Sequence, residues 1–404
     1  MTKRVMLVYG TRPEAIKLAP VIWELERAPQ LEPIVVLTGQ HRSMLDQVNR
    51  DFDIKADHDL EIMQAGQSLH DITVRSLGGV SDLIDAERPD VVLVQGDTTS
   101  ALSAALAAFY ARVPVAHVEA GLRTQNRYSP FPEEMNRRLT SQLASLHLAP
   151  TPASRDNLLR ENVNGDVIVV TGNTVIDTLL WTVRQRRPFS DVRLQAIERS
   201  GAPVLLGTAH RRESWGDPMR RVAEALVEIT WRLPDLRVVL PAHRNPVVRD
   251  DLLPVLENGR NIHVFEPLPY PDFARLMSIS SLVLTDSGGI QEEAPSLGKP
   301  VLVTRDSTER PEGIAAGTAR LVGTSTEAIV NTVESLLRDE SAYRAMARAS
   351  NPYGDSYAAQ RIVDALNFFF DLGPVPQDFE PAALLPADNR VGPADASSAL
   401  PVAS

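Results

Sequence analysis

The sequence predicts an α/β protein with two Rossmann-like, doubly wound domains that face a central cleft. Short runs rich in Val, Ile and Leu alternate with helix-length amphipathic segments, which is typical of parallel sheets covered by helices on both faces. The alternation stops in a polar, Arg-rich stretch at residues 184–200 and then starts again. The length of 404 residues, 43% of them hydrophobic, suffices for two such domains.

Six predicted strands in each half define the domains. They cover residues 4–9, 34–38, 91–95, 113–118, 146–149 and 167–171, and then 204–208, 237–241, 263–265, 282–285, 301–304 and 320–322. We therefore place the domains at residues 1–180 and 181–356, with the ligand between them at the strand carboxyl ends. A helix at 357–372 is expected to dock on one domain. The Pro-, Ala- and Ser-rich tail at 373–404 is expected to be disordered, because it has no periodic apolar pattern.

Composition excludes several classes of function. The chain has no cysteine, which excludes disulfides, thiolate catalysis and cysteine-ligated zinc, and we expect no metal site. Its formal charge of −11 argues against nucleic acid or an anionic membrane as a partner. No apolar run reaches the roughly 18 to 20 residues that span a bilayer, and the first ten residues are typical of a buried strand rather than a signal peptide. We expect a cytoplasmic protein.

The most informative motif is a predicted strand that ends in Ser287-Gly288-Gly289 and opens a helix. Backbone N–H groups at such a helix start attract anions, and glycines let a diphosphate approach closely, so a pyrophosphate is the natural ligand. Glu293 lies far enough into the helix to accept hydrogen bonds from a ribose diol. The alternative is a plain strand-to-helix turn in which Glu292 and Glu293 are ordinary helix acids.

A second strand-to-helix junction lies at residues 9–17. Arg12 and Lys17 would face the cleft there, where they either grip phosphate or are simply solvated. The junction lacks the G-x-G-x-x-G pattern of dinucleotide-binding folds. We therefore expect no nicotinamide cofactor and no hydride transfer.

Titratable groups follow three further strands: Asp97, the pair His117 and Glu119, and the segment 210–213. Three such junctions on one rim favour a reaction site. Each group also has a structural alternative: Asp97 as a helix N-cap, His117 as a core residue, Glu119 as a partner of Arg123. Glu133 and Glu134 would by default complement a helix dipole in the first turn.

Together these segments resemble the non-hydrolysing UDP-N-acetylglucosamine 2-epimerases. The resemblance runs from about residue 3 to residue 370. It is carried by GTRPEAIK at 10–17, GDTT at 96–99, HVEAGLRT at 117–124, SPFPEE at 129–134, GNTVID at 172–177, HRRE at 210–213 and DSGGIQEE at 286–293.

The resemblance implies a GT-B-like arrangement of the two domains, a homodimer and the roles of individual residues. It assigns acid/base catalysis to Asp97, Glu119 and Glu133, and places Lys17 and His210 in the reacting site. It assigns UDP binding to Arg12, Ser287, Gly288 and Gly289 at the phosphates, Glu293 at the ribose and the region around Phe265 at the uracil.

The implied reaction inverts C2 of UDP-N-acetylglucosamine to give UDP-N-acetylmannosamine for a cell-envelope or secondary-metabolite sugar pathway. The C2 hydrogen is next to no carbonyl, so a carboxylate removes it only as the C1–O bond to UDP breaks. This gives 2-acetamidoglucal and UDP, which recombine after protonation of the opposite face. Two carboxylates are required because the proton leaves one face and returns to the other.

Some members of this family are activated by UDP-N-acetylglucosamine bound beside the active site. The residues that resemble this second region are Gln40, His41, Arg211 and His243. Ser43 and Gly66 are small where some regulated members have longer polar side chains, which argues against strong activation here.

Three other functions compete with epimerisation. A glycosyltransferase of the same architecture would need an acceptor surface, whereas this cleft rim is crowded with acids and phosphate-binding groups. A hydrolysing epimerase would release UDP and free N-acetylmannosamine. An inactive UDP-sugar sensor would be expected to lack the three acids, and all three are present.

Overall fold

The structure is a computed structural model that describes residues 2–39, 42–64 and 66–381. Within these residues the chain forms two parallel sheets, of seven and six strands, each flanked by helices. The predicted α/β class with two doubly wound domains is confirmed.

The first sheet has the strand order β3-β2-β1-β4-β5-β6-β7. Its strands are β1 (Lys3–Tyr9), β2 (Leu31–Leu37), β3 (His58–Asp59), β4 (Val91–Gln95), β5 (Val115–Val118), β6 (Leu146–Ala149) and β7 (Ile168–Val170). Its helices are α1 (Arg12–Arg27), α2 (Arg42–Asp51), α3 (Leu69–Glu87), α4 (Thr99–Tyr110), α5 (Glu133–Leu143), α6 (Pro152–Arg160) and α7 (Thr174–Arg184). The two-residue β3 is the one strand of this sheet that we did not predict.

The second sheet has the order β10-β9-β8-β11-β12-β13. Its strands are β8 (Val204–Thr208), β9 (Arg237–Pro241), β10 (Ile262–Phe265), β11 (Leu282–Thr285), β12 (Val301–Val303) and β13 (Ala319–Leu321). The helices are α8 (Val192–Ser200), α9 (Asp217–Arg232), α10 (Pro246–Leu256), α11 (Tyr270–Ile279), α12 (Gly288–Glu293), α13 (Pro311–Ala315), α14 (Thr326–Arg338), α15 (Glu340–Ala347) and α16 (Ala358–Phe369).

Both sheets reverse their strand order at one point. In the first sheet β1 pairs with β4, and in the second β8 pairs with β11, although neither pair is consecutive in sequence. The loops after these strands diverge to opposite faces and leave a crevice between them. The motifs at residues 10–17, 96–99, 210–213 and 286–293 follow these four strands, so the topology brings them to the two crevices.

Alternation along β1 shows why this domain needs helices on both sides of the sheet. Val5, Leu7 and Tyr9 belong to a core that includes residues of α1, α7 and α16, whereas Met6 and Val8 belong to a core with residues of α3 and α4. All five side chains are fully buried. Successive side chains of a strand point to opposite faces, so an apolar run requires two covered faces.

The chain crosses between the domains twice. Helix α7 packs in the first core through Val175, Ile176 and Leu179 and ends at Arg184, a few residues beyond the predicted boundary at residue 180. Helix α16 then returns to that core through Ile362 and Leu366. The helix expected at 357–372 therefore docks on the N-terminal domain.

The start of the C-terminal tail differs from the predicted disorder. Asp378 accepts a hydrogen bond from the backbone N–H of Val170 at 2.8 Å, and the N–H of Phe379 donates to the Val170 carbonyl at 2.6 Å. The Phe379 ring is buried. One aromatic side chain and one Asp thus hold this segment against the edge strand β7, although the segment has no periodic pattern. Residues 382–404 lie outside the described part of the chain.

Candidate active site

A cleft of about 500 Å³ lies between the carboxyl ends of the two sheets. Its first wall comes from the start of α1 and from α7, and its second wall comes from the loops that follow β8, β9, β10 and β11. The lining includes Arg12 and Lys17 from the first domain, and His210, His243, Tyr270, Phe273, Ser287, Gly289, Glu292 and Glu293 from the second. Of the predicted catalytic residues, the structure brings Lys17 and His210 into the walls of one cleft.

The start of α1 is fixed by a buried carboxylate. One oxygen of Glu14 accepts hydrogen bonds from the N–H groups of Gly10 and Thr11 at 3.0 and 2.8 Å, and the other accepts from the Thr98 hydroxyl at 2.6 Å. This capping box joins the loop after β1 to the loop after β4. Arg12, in the first turn, is exposed and has no partner among the described residues, so its guanidinium is free for an anion in the cleft.

Lys17 and Glu119 form a buried ion pair beside the cleft. Their Nζ and Oε1 atoms are 2.6 Å apart, the side chains are 19% and 8% exposed, and the second oxygen of Glu119 accepts a hydrogen bond from Gln95. Burial raises the pKa of Glu119, but Lys17, Arg310 and Arg137 together lower it by more, so the net pKa lies below its usual value. Burial lowers the pKa of Lys17, but Glu119 and Glu292 raise it above its usual value. Both groups are therefore charged at neutral pH.

The environment of Asp97 differs from that of Glu119. Its carboxylate lies 2.8 Å from the guanidinium of Arg137, and its backbone carbonyl accepts a hydrogen bond from Asn136 at 2.9 Å. Burial raises the pKa of Asp97 to about 6; Arg137 lowers it, and the charges of Glu119 and Glu133 raise it. A carboxyl group with this pKa both releases and accepts a proton near neutral pH.

Glu133 and Glu134 are adjacent in sequence but have different surroundings at the start of α5. Glu134 is buried and accepts hydrogen bonds from the N–H of Thr124 at 3.0 Å and from Arg138 at 2.9 Å. Glu133 has no partner among the described residues and is half-buried. It lies close enough to Asp97 for its charge to raise the pKa of Asp97. Glu134 is thus a structural acid, and Glu133 is the acid of the pair that remains available.

His117 is a core residue, as its structural alternative predicted. Its side chain is fully buried, and its Nε2 lies 2.7 Å from the carbonyl oxygen of Gly96. Burial lowers its pKa to about 4, so the ring is neutral at physiological pH. The residue fixes the turn before Asp97.

Asp286 organises the second wall. Its carboxylate accepts hydrogen bonds from the backbone N–H groups of His210 and Arg211 at 2.7 and 2.8 Å and lies 3.0 Å from the His210 ring. Burial raises the pKa of Asp286, but His210 and the two N–H groups together lower it by more. The pKa therefore lies below its usual value. The contact orients His210 at the cleft, where its ring stacks on that of His243 at 5.8 Å.

The Ser287-Gly288-Gly289 turn opens α12 as predicted. Ser287 is the N-cap residue, but its hydroxyl makes no capping hydrogen bond, so it is available to a ligand. A Cβ atom added to Gly288 would lie 3.6 Å from Arg211 and 3.9 Å from Arg310. The turn is therefore flanked by two guanidinium groups, which favours an anionic ligand.

Glu293, the predicted ribose ligand, lines the cleft at the end of α12. Its Oε2 atom accepts a hydrogen bond from the Tyr270 hydroxyl at 3.2 Å. Burial raises the pKa of Glu293 to about 7, and the charge of Glu292 acts in the same direction. The Tyr270 hydrogen bond and the charge of Lys17 lower the pKa in part. The sequence did not indicate Tyr270, which comes from a different strand-to-helix junction.

An interdomain cluster around Glu292 was also missed. The Glu292 carboxylate accepts hydrogen bonds from Arg310 and, at 2.7 Å, from the side-chain amide of Asn173 in the first domain. Burial lowers the pKa of Arg310, but Glu292 and Glu119 raise it above its usual value. The Arg310-Pro311 step, typical of a helix start, is the one sequence signal that marks this arginine.

Some predicted site residues lie elsewhere. The side chain of Phe265 belongs to the core of the second domain, where Arg193 stacks on its ring at 4.3 Å, and not to the cleft wall. Phe273, eight residues further on, lines the cleft instead. Arg211 and His243 are at the second wall, whereas Gln40 and His41 lie outside the described residues.

The family model of UDP-N-acetylglucosamine 2-epimerases matches residues 23–367. The chain belongs to this family. Relatives called UDP-N-acetylglucosamine 2-epimerase include one from Escherichia coli K12, 52% identical over 370 residues, which are 90% of this chain and 98% of the relative. Another, from Bacillus subtilis, is 50% identical over 367 residues, or 91% and 96% of the two chains.

Solved structures of this family have the same fold as the chain. The UDP-GlcNAc 2-epimerase from Neisseria meningitidis, bound to UDP-GlcNAc, superposes with a TM-score of 0.81 at 47% identity and covers 90% of this chain and 99% of its own. The enzyme from Methanocaldococcus jannaschii, in complex with UDP-GlcNAc and UDP, gives 0.74 at 33% identity, with the same coverage of 90% and 99%. The predicted family, GT-B-like architecture and enzyme class are confirmed. In the described part of the chain, no helix is long and apolar enough to cross a membrane.

Proposed function

We propose that the protein inverts C2 of UDP-N-acetylglucosamine by eliminating UDP and adding it back. The observation that carries this mechanism is the placement of two acids that no other acceptor or donor saturates. Asp97 lies 2.8 Å from Arg137, and burial raises its pKa to about 6; Glu133, at the start of α5, has no partner among the described residues and is close enough to act on that pKa. A carboxyl group that titrates near the working pH is suited to proton transfer.

In the elimination step one carboxylate removes the C2 proton as the C1–O bond breaks. The electrons of the C2–H bond form the C1=C2 double bond of 2-acetamidoglucal, and UDP leaves with the electron pair of the C1–O bond. Asp97 and Glu133 are the pair that we assign to proton transfer, since Glu119 already has both oxygens engaged by Lys17 and Gln95. Protonation of C2 from the opposite face and return of the UDP oxygen to C1 complete the inversion.

Departure of UDP requires positive charge at the diphosphate. Arg12 and Lys17 supply that charge in the cleft wall, and His210, Ser287 and Gly289 line the same space. Preorganised donors at a site of developing charge are each worth about 3 to 4 kcal/mol in comparable enzymes. In this arrangement Glu119 has an indirect role, because it keeps Lys17 charged and in place.

Nucleoside recognition belongs to the second domain. Glu293 accepts hydrogen bonds from the ribose diol, and Phe273 and Leu268 offer an apolar surface for the uracil in place of the predicted Phe265. Arg211 and His243 lie beside the phosphate end of the same cleft, so the predicted second nucleotide region would adjoin the first. A homodimer, a cytoplasmic location and the sugar pathway stay predictions of the sequence.

The mechanism predicts solvent exchange at C2. Purified protein incubated with UDP-N-acetylglucosamine in D₂O without added NAD should give UDP-N-acetylmannosamine with deuterium at C2, because a carboxylate proton exchanges with solvent. The recovered substrate should acquire the label more slowly, through the reverse reaction. NMR of the C2 position measures both.

Variants sharpen this experiment. Asp97→Asn and Glu133→Gln should lower kcat by about 10² or more and leak 2-acetamidoglucal and UDP, since proton return is impaired. Asp235→Asn, an exposed acid between α9 and β9, is the matched control and should behave as wild type. Product that retains protium at C2, or accumulation of free N-acetylmannosamine, would exclude elimination and readdition.

A further inference from the structure

Tyr270 stands where the two domains and the ligand cleft meet. It is the first residue of α11 in the second domain, yet its side chain belongs to the hydrophobic core of the first. Its ring packs edge-on against Phe52 with centroids 5.9 Å apart, and Phe52 makes a similar contact with Trp181 at 5.9 Å. Tyr270 is 9% exposed and lines the cleft.

The hydroxyl of Tyr270 has one partner among the described residues, the carboxylate of Glu293 at 3.2 Å. Glu293 curls back over the start of α12, so that its other oxygen lies 3.7 Å from the position of a Cβ atom added to Gly289. The carboxylate is thus held between the tyrosine on one side and the glycine turn of the cleft on the other. The aromatic contacts fix the ring, and the ring fixes the hydroxyl.

We propose that Tyr270 is a positioning residue whose hydroxyl keeps the Glu293 carboxylate ionised, so that it can accept hydrogen bonds from the ribose diol of the nucleotide. The inference rests on the proposed role of Glu293 in ribose binding. A protonated Glu293 would lose acceptor capacity toward a diol, and a buried carboxyl group without a donor becomes protonated.

The charges around Glu293 show why this donor matters. Burial raises its pKa to about 7, Glu292 raises it, and the Tyr270 hydrogen bond and the more distant Lys17 lower it. Tyr270 itself remains protonated, because burial and Glu293 raise its pKa well above its usual value. Without the hydroxyl, the pKa of Glu293 would rise further and the carboxylate would be mostly neutral at pH 7.

Tyr270→Phe tests the proposal because it removes the hydroxyl and keeps the ring against Phe52. We expect UDP to bind about fivefold to tenfold more weakly at pH 7, with a difference of less than about twofold at pH 9, where Glu293 ionises without help. Titration calorimetry with UDP and with 2′,3′-dideoxy-UDP, which lacks the diol, separates this effect from general loss of affinity. In wild type the dideoxy compound should bind at least about tenfold more weakly than UDP. In Tyr270→Phe that ratio should shrink at pH 7 and recover at pH 9.

Two controls distinguish the possible failures. Glu293→Gln should reduce the UDP to dideoxy-UDP ratio at every pH; an unchanged ratio would mean that the proposed ribose role of Glu293 is wrong. Tyr343→Phe loses a comparable hydrogen bond, from its hydroxyl to the Ser281 carbonyl at 2.7 Å, away from the cleft, and should bind UDP as wild type does. If Glu293→Gln reduces the ratio while Tyr270→Phe retains it in full at pH 7, the inference about Tyr270 is overturned. A loss in Tyr270→Phe that is equally large at pH 9 would overturn it as well.

Discussion

At the scale of single residues, the site depends on which charge each acid faces. Glu119 faces an ammonium at 2.6 Å and stays ionised, whereas burial raises the pKa of Asp97 to about 6, and the guanidinium of Arg137 offsets this only in part because Glu119 and Glu133 act against it. Since the ideal pKa of a catalytic base is close to the working pH, Asp97 is better suited than Glu119 to exchange a proton with C2. The guanidinium of Arg137 lowers the pKa of Asp97 and so keeps it below neutral pH.

Arg137→Met should therefore move the acidic limb of the pH profile. Asp97 acts as a base only when ionised, so kcat/KM of wild type should fall below about pH 6. Removing Arg137, which lowers the pKa of Asp97, should shift this limb upward by about one unit or more.

Arg138→Met is the matched control, because Arg138 pairs with Glu134 at 2.9 Å. Its acidic limb should coincide with that of wild type. An unmoved limb in Arg137→Met would assign the limb to another group.

At the scale of secondary-structure elements, α16 is held by a carboxylate from another helix. Asp177, on α7, accepts a hydrogen bond from the N–H of Ala359 at 3.0 Å, in the first turn of α16. Burial raises the pKa of Asp177 to about 7, although the N–H groups of Ala358 and Ala359 lower it. An aspartate in the unfolded chain ionises near pH 4, so the folded protein holds this proton more tightly.

Stability should consequently fall as the pH rises from about 4 to 7, because the ionised form of Asp177 is disfavoured in the fold. Asp177→Asn should remove this contribution. Its free energy of unfolding relative to wild type should therefore rise by about 2 to 3 kcal/mol between pH 5 and pH 8. The measurement is the difference in melting temperature between the two pH values.

Asp364→Asn, a half-buried acid on α16 itself, serves as the comparison and should leave that difference unchanged. Equal pH dependence of wild type and Asp177→Asn would show that Asp177 titrates normally in the folded protein.

At the scale of the whole molecule, the end of the described chain closes the first domain. Helix α16 packs on α1 and α7, and residues 378–379 then pair with Val170 on the edge strand β7. Asp378 also forms an ion pair with Arg155 at 2.6 Å, and Arg361 stacks on the Phe379 ring at 5.4 Å. Covering an edge strand in this way satisfies its backbone groups and blocks pairing with other chains.

Two truncations should have different consequences. Deleting residues 382–404 should leave the melting temperature and turnover unchanged, since this Pro-, Ala- and Ser-rich stretch has no apolar pattern. Deleting residues 373–404 also removes Phe379 and should cost about 3 kcal/mol of stability. Phe379→Ala in the full chain should reproduce most of that loss. Identical melting curves for the two truncations would show that the contacts of Phe379 contribute nothing.

The sequence by itself determined the elements and the identity of the main site residues. Apolar runs and helix-length segments are local patterns, so 12 of the 13 strands in the described residues could be located within a few residues. Asp97 and Glu119 follow neighbouring strands of one sheet, and parallel strands bring their carboxyl ends to one edge, so their proximity was also predictable. The choice between Glu133 and Glu134 came from the family resemblance, and the hydrogen bonds of Glu134 now give it a physical reason.

Only the tertiary structure decided the partners of these residues. Arg137, Tyr270 and Arg310 come from elements far along the chain, and no local pattern marks which acid each one meets. Phe265 and Phe273 are equally apolar in sequence, but one ring points into the core and the other into the cleft. Burial and charge at a distance set a pKa, and both depend on how two domains pack, which is why the ionisation of Asp97 and Glu293 could not be predicted from the order of residues.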